Sequence, residues 1–537
     1  MRRSVTSIIL PVHMATHKLL KSTAITGGMT LLSRISGLVR DMIFANMLGA
    51  AAGADAFYVA FRIPNFLRRI FAEGAFSQAF VPILSEYRAH GKLAAARAFI
   101  DQVAGLFGLV LLILTIIGVL AAPVIVMVLA PGWFIDKPDK YALTVDMLRI
   151  VFPYIFFISF VAMAAGILNT HRKFGVAEFT AVLLNLSMIA AALWLAPHME
   201  PPALALAWGV FAAGVLQLLF QAPFLSRLDM LPRPRLVFSE RHEGVMRVIR
   251  LMMPAIFGSS IAQINLLVNT LLASFLVTGS ISWLYYSDRL MEFPIGVFGV
   301  ALATVILPSL AHRHAKNSRE EFSRLLDWAL RWTFVIGVPA TVGLITLAGP
   351  LVTTIYHHGQ FTTLDVEMCT TALIAYSIGL PGFILVKVLA PGFYARQDTK
   401  TPVRIGIISM LVNVALSLIL IYPLKHVGLA GAISISALVN ATLLYRSLRR
   451  HDVYRPLSGW IVFLARVSAA SAIMGALLVW GAGETALWTA LGVWDRVLRL
   501  AFWVIAGILI YGTTIFALGL RPAQLTVKRD AGMFKDD

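Results

Sequence analysis

Fourteen apolar runs, each near the ~20 residues a helix needs to cross a bilayer's hydrocarbon, constrain this chain more than any other feature. They lie near 25–49, 55–87, 99–130, 142–168, 175–197, 203–226, 246–276, 281–312, 325–349, 365–390, 402–424, 427–446, 459–482 and 496–519. Charge interrupts the second and the eighth. Of 537 residues, 59% are hydrophobic and 13% charged, against roughly 25% charged in a soluble domain. A water-soluble core cannot absorb that much apolar surface, so lipid must cover much of it. The expected class is an all-α integral membrane protein with about 14 transmembrane helices.

The net charge is +18. In a soluble protein this would suggest nucleic acid; here it follows the bias of Lys and Arg toward cytoplasmic loops. With the N-terminus inside, the inside segments carry 28 Lys and Arg and the outside loops three, Lys137, Lys140 and Lys425. That alternation supports both termini being cytoplasmic. Residues 1–22 lack the compact apolar core and cleavage site of a signal peptide, and whether translation starts at Met1 or Met14 stays open. The lone Cys369 excludes an internal disulfide and a cysteine-based metal site.

The chain repeats itself weakly. Pro82 matches Pro308, Pro123 matches Pro350, Gly166 matches Gly392, Asn185 matches Asn413 and Arg62 matches Arg289, all at a spacing of 226 to 228. Each copy holds six spans, an even number, so both enter the membrane from the same side, as in parallel transporter repeats. The expected layout is a cytoplasmic segment 1–22, an N-lobe 23–229, a linker 230–245, a C-lobe 246–450, two extra helices in 451–520 and a cytoplasmic tail 521–537. Substrate sites in such folds lie between the lobes near the midplane.

Charges in mid-membrane cost a few kcal/mol or more and usually face a cavity. Here they concentrate in span 1, with Arg34, Arg40 and Asp41, and span 2, with Asp55, Arg62, Arg68, Arg69 and Glu73. On a straight helix Asp55, Arg62, Arg69 and Glu73 fall within about 40° of one another; Arg68 points elsewhere. Pro64 is expected to kink the helix. Arg62 lies too deep to snorkel, and five arginines against three acids argue against full neutralisation. In the second copy Glu292 can pair with Asp288 or Arg289, and Lys387 lies deep in span 10. An arginine-rich cavity suits a phosphate or carboxylate, which guanidinium binds bidentately.

The stretches SRISGLVRD (33–41), ADAFYVAFRIPNFLRRIFAEGAFSQAFVPILSEY (54–87), SWLYYSDRLMEFPIGVFGVAL (282–302) and KVLAPGFYARQDTKTPV (387–403) resemble the signature of the MurJ (MviN) lipid II flippase family. The resemblance runs from about residue 18 to the end. It implies a MATE-like fold with two extra C-terminal helices, and the movement of undecaprenyl-pyrophosphoryl disaccharide-pentapeptide between the leaflets of a bacterial inner membrane for peptidoglycan assembly. It also implies functional positions at Arg34, Arg40, Asp55, Arg68, Arg69, Glu73, Arg289 and Glu292. On this reading Arg34, Arg40 and Arg289 bind the pyrophosphate, and Asp55, Arg62, Arg68, Arg69, Glu73, Asp288, Glu292 and Lys387 shape or gate the cavity.

No cofactor is expected. Coupling to the membrane potential or to a monovalent ion is left open, with Asp398 the single sodium-site candidate against a plainer reading as a turn or cap residue before Pro402. Partners are lipid II, membrane lipids and the cell-wall synthesis machinery, without nucleic acid. The rivals are a MATE-type or polysaccharide exporter of another cargo, and a membrane enzyme acting on lipid-linked glycans. For the first, export of a cationic drug would favour a net acidic cavity, and this one is net basic. The second commonly uses sizeable outside loops, which are short here, and His357 and His358 lack a metal partner set. No G-x-x-x-x-G-K-[ST] motif supports an ATP-driven pump.

Overall fold

The structure is a computed structural model and describes residues 9–69, 76–91, 93–236, 243–316 and 318–521. Glu73, most of the predicted cytoplasmic tail and part of the predicted linker lie outside the described residues. The chain divides into two compact units, Met1–Leu267 and Val268–Asp537. The first holds α1 (Ile9–Leu48), α2 (Ala52–Leu67), α3 (Ser77–Ala89), α4 (Leu93–Leu120), α5 (Ala122–Leu129), α6 (Pro131–Asp136), α7 (Pro138–Val151), α8 (Tyr154–Thr170), α9 (Phe174–Ala190), α10 (Leu204–Ser226) and most of α11 (Glu243–Ser274). The second adds α12 (Ser280–Pro294), α13 (Val300–Ala315), α14 (Arg319–Thr346), α15 (Ala348–Tyr356), α16 (Thr363–Ile378), α17 (Leu380–Tyr394), α18 (Lys400–Arg450), α19 (Trp460–Ala482), α20 (Thr485–Thr489) and α21 (Val493–Ala517). No strand occurs among the described residues, as expected where lipid cannot satisfy an open backbone edge.

Ten helices among the described residues are long and apolar enough to cross a membrane, against the fourteen expected. The difference has identifiable sources. α18 carries two predicted spans, broken at Lys425, whose backbone is non-helical (φ 50°). The other three predicted spans fall on α1, on α2 with α3, and on α11, which are helical but not among those ten. The division between units falls within α11, beyond the predicted linker, because Val248, Met252 and Ile256 at its start pack against Phe80, Phe99 and Leu168 of the first unit.

Exposure confirms where lipid lies. On α21, Leu498, Phe502, Ile505, Ile508 and Leu509 all stand exposed, and Trp480 on α19 is 83% exposed. In water this would be an aggregation surface; against acyl chains it is favourable. Inside a unit, with lipid as apolar as leucine, helices associate through close packing of small residues and polar contacts. Gly379 and Gly382 let the segment around the start of α17 lie directly on α18: a Cβ at Gly382 would stand 2.8 Å from the Leu438 backbone nitrogen.

A polar contact in the second unit centres on Asp327 of α14, which is fully buried. Its Oδ1 accepts from the Tyr454 hydroxyl and the Trp460 indole N–H, both at 2.7 Å, and from the Leu457 amide at 3.1 Å. Its Oδ2 accepts from Arg331 Nε at 2.8 Å, and the Arg331 guanidinium lies over the Trp460 and Phe463 rings. Arg331 is therefore a paired residue. Burial, together with the bond to and charge of Asp327, raises the Tyr454 hydroxyl pKa and keeps it a donor. This knot fastens the start of α19, the first of the two extra helices, to α14. Asp327→Ala should cost about 3–5 kcal/mol, the usual penalty for stranding one half of a buried pair. A lowered melting temperature in detergent would show it; a wild-type melt would contradict it.

Candidate functional site

The charged residues of α1 and α2 separate into enclosed and open groups. Arg40 is 6% exposed. Its Nε and Nη2 donate to Asp41 Oδ1 at 3.0 and 2.7 Å, and its Nη1 donates to Asn185 Oδ1 of α9 at 3.0 Å. Asn185 in turn donates to the Ser33 carbonyl and the Ser36 hydroxyl. A guanidinium held this way forms part of the joint between α1 and α9 in this conformation. Arg34, one and a half turns earlier on α1, is exposed.

Asp55, in the first turn of α2, is 1% exposed and accepts from Lys140 Nζ of α7 at 2.5 Å. Lys140 is also buried, with its ammonium 4.1 Å above the Trp133 ring. Lys140 is therefore no exposed loop residue, as its place between two predicted spans suggests, but the partner of the first acid of the stripe. Further along α2, half-buried Arg62 donates to the Leu266 carbonyl of α11 at 3.4 Å. Beyond Pro64 the backbone widens into a π-type turn at 68 and 69. There Arg68, half-buried, turns back to Asn65 Oδ1 at 2.8 Å, and Arg69 is exposed.

In the second unit Arg289 lies 3.3 Å from Glu292 and over the Tyr285 ring, the i,i+3 pairing that the sequence allows. Asp288 is half-buried and Lys387 is exposed. Asp398 accepts from the Thr401 amide at 3.0 Å, at the start of α18. Its slight burial would raise its pKa, but the Thr401 bonds, the Arg396 charge and the Lys400 amide hold the carboxyl below its ordinary value. That is the environment of a cap. No cluster of three or more potential metal ligands occurs among the described residues, and the His357 carbonyl is taken by Arg496 at 3.0 Å.

Three partners are missed in the sequence: Lys140, Asp327 and Asn185. Asp327 is legible in hindsight from its i,i+4 spacing to Arg331. Lys140 is legible only from the need of a buried acid for a cation, and Asn185 from its status as a repeat landmark. That landmark recurs physically. Asn413 of α18 donates to Asn269 of α11 at 3.1 Å, and Asn269 and Asn413 each stand 228 residues beyond Asp41 and Asn185. The same joint is charged in the first copy and neutral in the second.

A multi-pass helical membrane protein with duplicated polar joints and arginines concentrated on its first two helices has the architecture of a MATE-type transporter. An inward-facing multidrug MATE transporter of the MOP superfamily shares the fold, with TM-score 0.67 at 16% identity over 78% of this chain and 94% of that one. The chain belongs to the lipid II flippase MurJ family, whose model matches residues 44–495. It is 47% identical to a probable lipid II flippase MurJ of Vibrio cholerae over 95% of this chain and 98% of the relative. It is 42% identical to the lipid II flippase MurJ of Burkholderia cenocepacia over 94% and 98%. A solved lipid II flippase MurJ in an inward closed conformation matches with TM-score 0.76 at 28% identity, over 91% of this chain and 98% of that one.

The cap reading of Asp398 has a direct check. Asp398→Ala should cost about 0.5–2 kcal/mol as the loss of a helix cap and leave any response of the melt to sodium unchanged. A sodium stabilisation present in the wild type and lost in the variant would reinstate the metal reading.

Proposed function

We propose that this protein moves lipid II from the inner to the outer leaflet of the bacterial inner membrane for peptidoglycan assembly. The observation that carries the reading is the near full-length match to flippases named for that substrate, joined to a set of arginines on α1 and α2 in spans that should otherwise be apolar. The pyrophosphate is the part of lipid II that resists crossing, and guanidinium is the side chain that replaces its hydration most completely, by bidentate bonds that survive low dielectric.

Arg34 and Arg289 are the primary pyrophosphate ligands on this reading. Arg40 joins them only by exchanging Asp41 or Asn185 for substrate. Asp55, Arg62, Arg68, Arg69, Glu73, Asp288, Glu292 and Lys387 tune the field and exchange partners as the basic face turns alternately toward the two sides of the membrane. The polyprenyl tail stays in lipid. A headgroup charge crossing the membrane couples to the potential at about 2.3 kcal/mol per elementary charge per 100 mV, which supplies a driving term without a bound cofactor. Both termini are cytoplasmic, and the work is transport, with no covalent step.

The test uses cells depleted of the protein and supplied with wild type or Arg34→Ala, scored by the fraction of lipid II open to an externally added lipid II-cleaving toxin. Accessibility should collapse on depletion, return with wild type and stay low with an Arg34→Ala variant of normal membrane abundance. Unchanged accessibility on depletion, in a strain without a second flippase, would contradict the substrate. Full activity of Arg34→Ala would contradict the ligand assignment.

A further inference from the structure

The duplication supplies an internal control for the Asp55–Lys140 pair. In the first unit the heads of α2 and α7 are tied by an ion pair whose members are 1% and 5% exposed. In the second unit the heads of α12 and α16 meet in the same way. Trp283, 228 residues beyond Asp55, donates its indole N–H to Asp365 Oδ1 at 2.7 Å. Asp365 Oδ2 accepts from the Thr362 amide and hydroxyl at 2.9 and 2.8 Å. There the acid is satisfied by neutral donors. A static tie at this place in the fold therefore needs no cation, and burying one is expensive: desolvation often cancels what the pair gains.

The two chemistries differ in what displacement does to them. A neutral hydrogen bond is lost within about an ångström of stretching. Coulomb attraction falls only as the inverse of distance, so an ion pair persists while one helix slides past another. The ammonium also rests on the Trp133 face, a second and non-directional hold. α2 carries Arg62 and leads into the widened turn that holds Arg68 and Arg69, and it must shift if those arginines are to face the two sides of the membrane in turn.

We propose that Lys140 is a positioning residue for translocation: its ammonium makes the joint between α2 and α7 a sliding one, and transport requires that charge rather than the tie. This rests on the transport reading above. The deciding variant is the neutral double substitution Asp55→Asn with Lys140→Met, which strands no buried charge, compared with Lys140→Arg, which keeps the cation. The readouts are membrane abundance, melting temperature in detergent and toxin-accessible lipid II.

The double variant should accumulate and melt like wild type yet leave accessibility at the level of depleted cells, and Lys140→Arg should retain transport. An active double variant would overturn the proposal, as would an inactive Lys140→Arg at normal abundance. A double variant that fails to accumulate would show the charge to be structural and overturn it too. Failure of the transport reading is distinguishable, because depletion itself would then leave accessibility unchanged.

Discussion

A charge inside an apolar helix bundle has to be met by an opposite charge or by several donors, and most of this architecture can be derived from how that demand is satisfied. Asp327 meets four donors, Asp55 meets Lys140, Asp41 meets Arg40 and Asp365 meets Trp283 and Thr362. Arg40 carries its pairing across to Asn185 of α9, and the other contacts likewise join helices that have no hydrophobic reason to prefer one another over lipid. Small residues such as Gly382 let backbones approach, but the polar joints fix which helix meets which.

The two units answer the demand differently. In the first, the joints between α1 and α9 and between α2 and α7 contain full charges. In the second, the joint between α11 and α18 uses amides and that between α12 and α16 uses an indole and a capped carboxylate. At these two matched places the first unit uses ion pairs and the second neutral donors, although the second holds the Asp327–Arg331 ion pair elsewhere. Arg34, Arg62, Arg68 and Arg69 lie in the unit whose matched joints are charged, and Arg289 lies in the other.

Much of this was legible in the sequence. The apolar runs gave the helical class, and the constant spacing of Asn185 and Asn413 found a contact that recurs in both units. Resemblance gave the family. Pairing across helices was harder to read. A helical wheel compares residues on one helix, whereas Lys140 lies 85 residues from Asp55 and reads as an outside-loop lysine. Arg40 reads as an open cation until Asn185, 145 residues away, closes over it. A wheel drawn straight through α2 also takes no account of Pro64 or of the widened turn at 68 and 69. The span count differs for another reason: charge interrupts α1, α2 ends after 16 residues, and α18 joins two spans in one helix.

The central claim is that this protein itself moves lipid II. Purified protein in vesicles that hold lipid II and phosphatidylglycerol, each with a labelled headgroup, tests it most directly. The account predicts that lipid II headgroups become open to an external reagent faster than in protein-free vesicles, and that phosphatidylglycerol does not follow. No acceleration, or equal acceleration of both lipids, would contradict it.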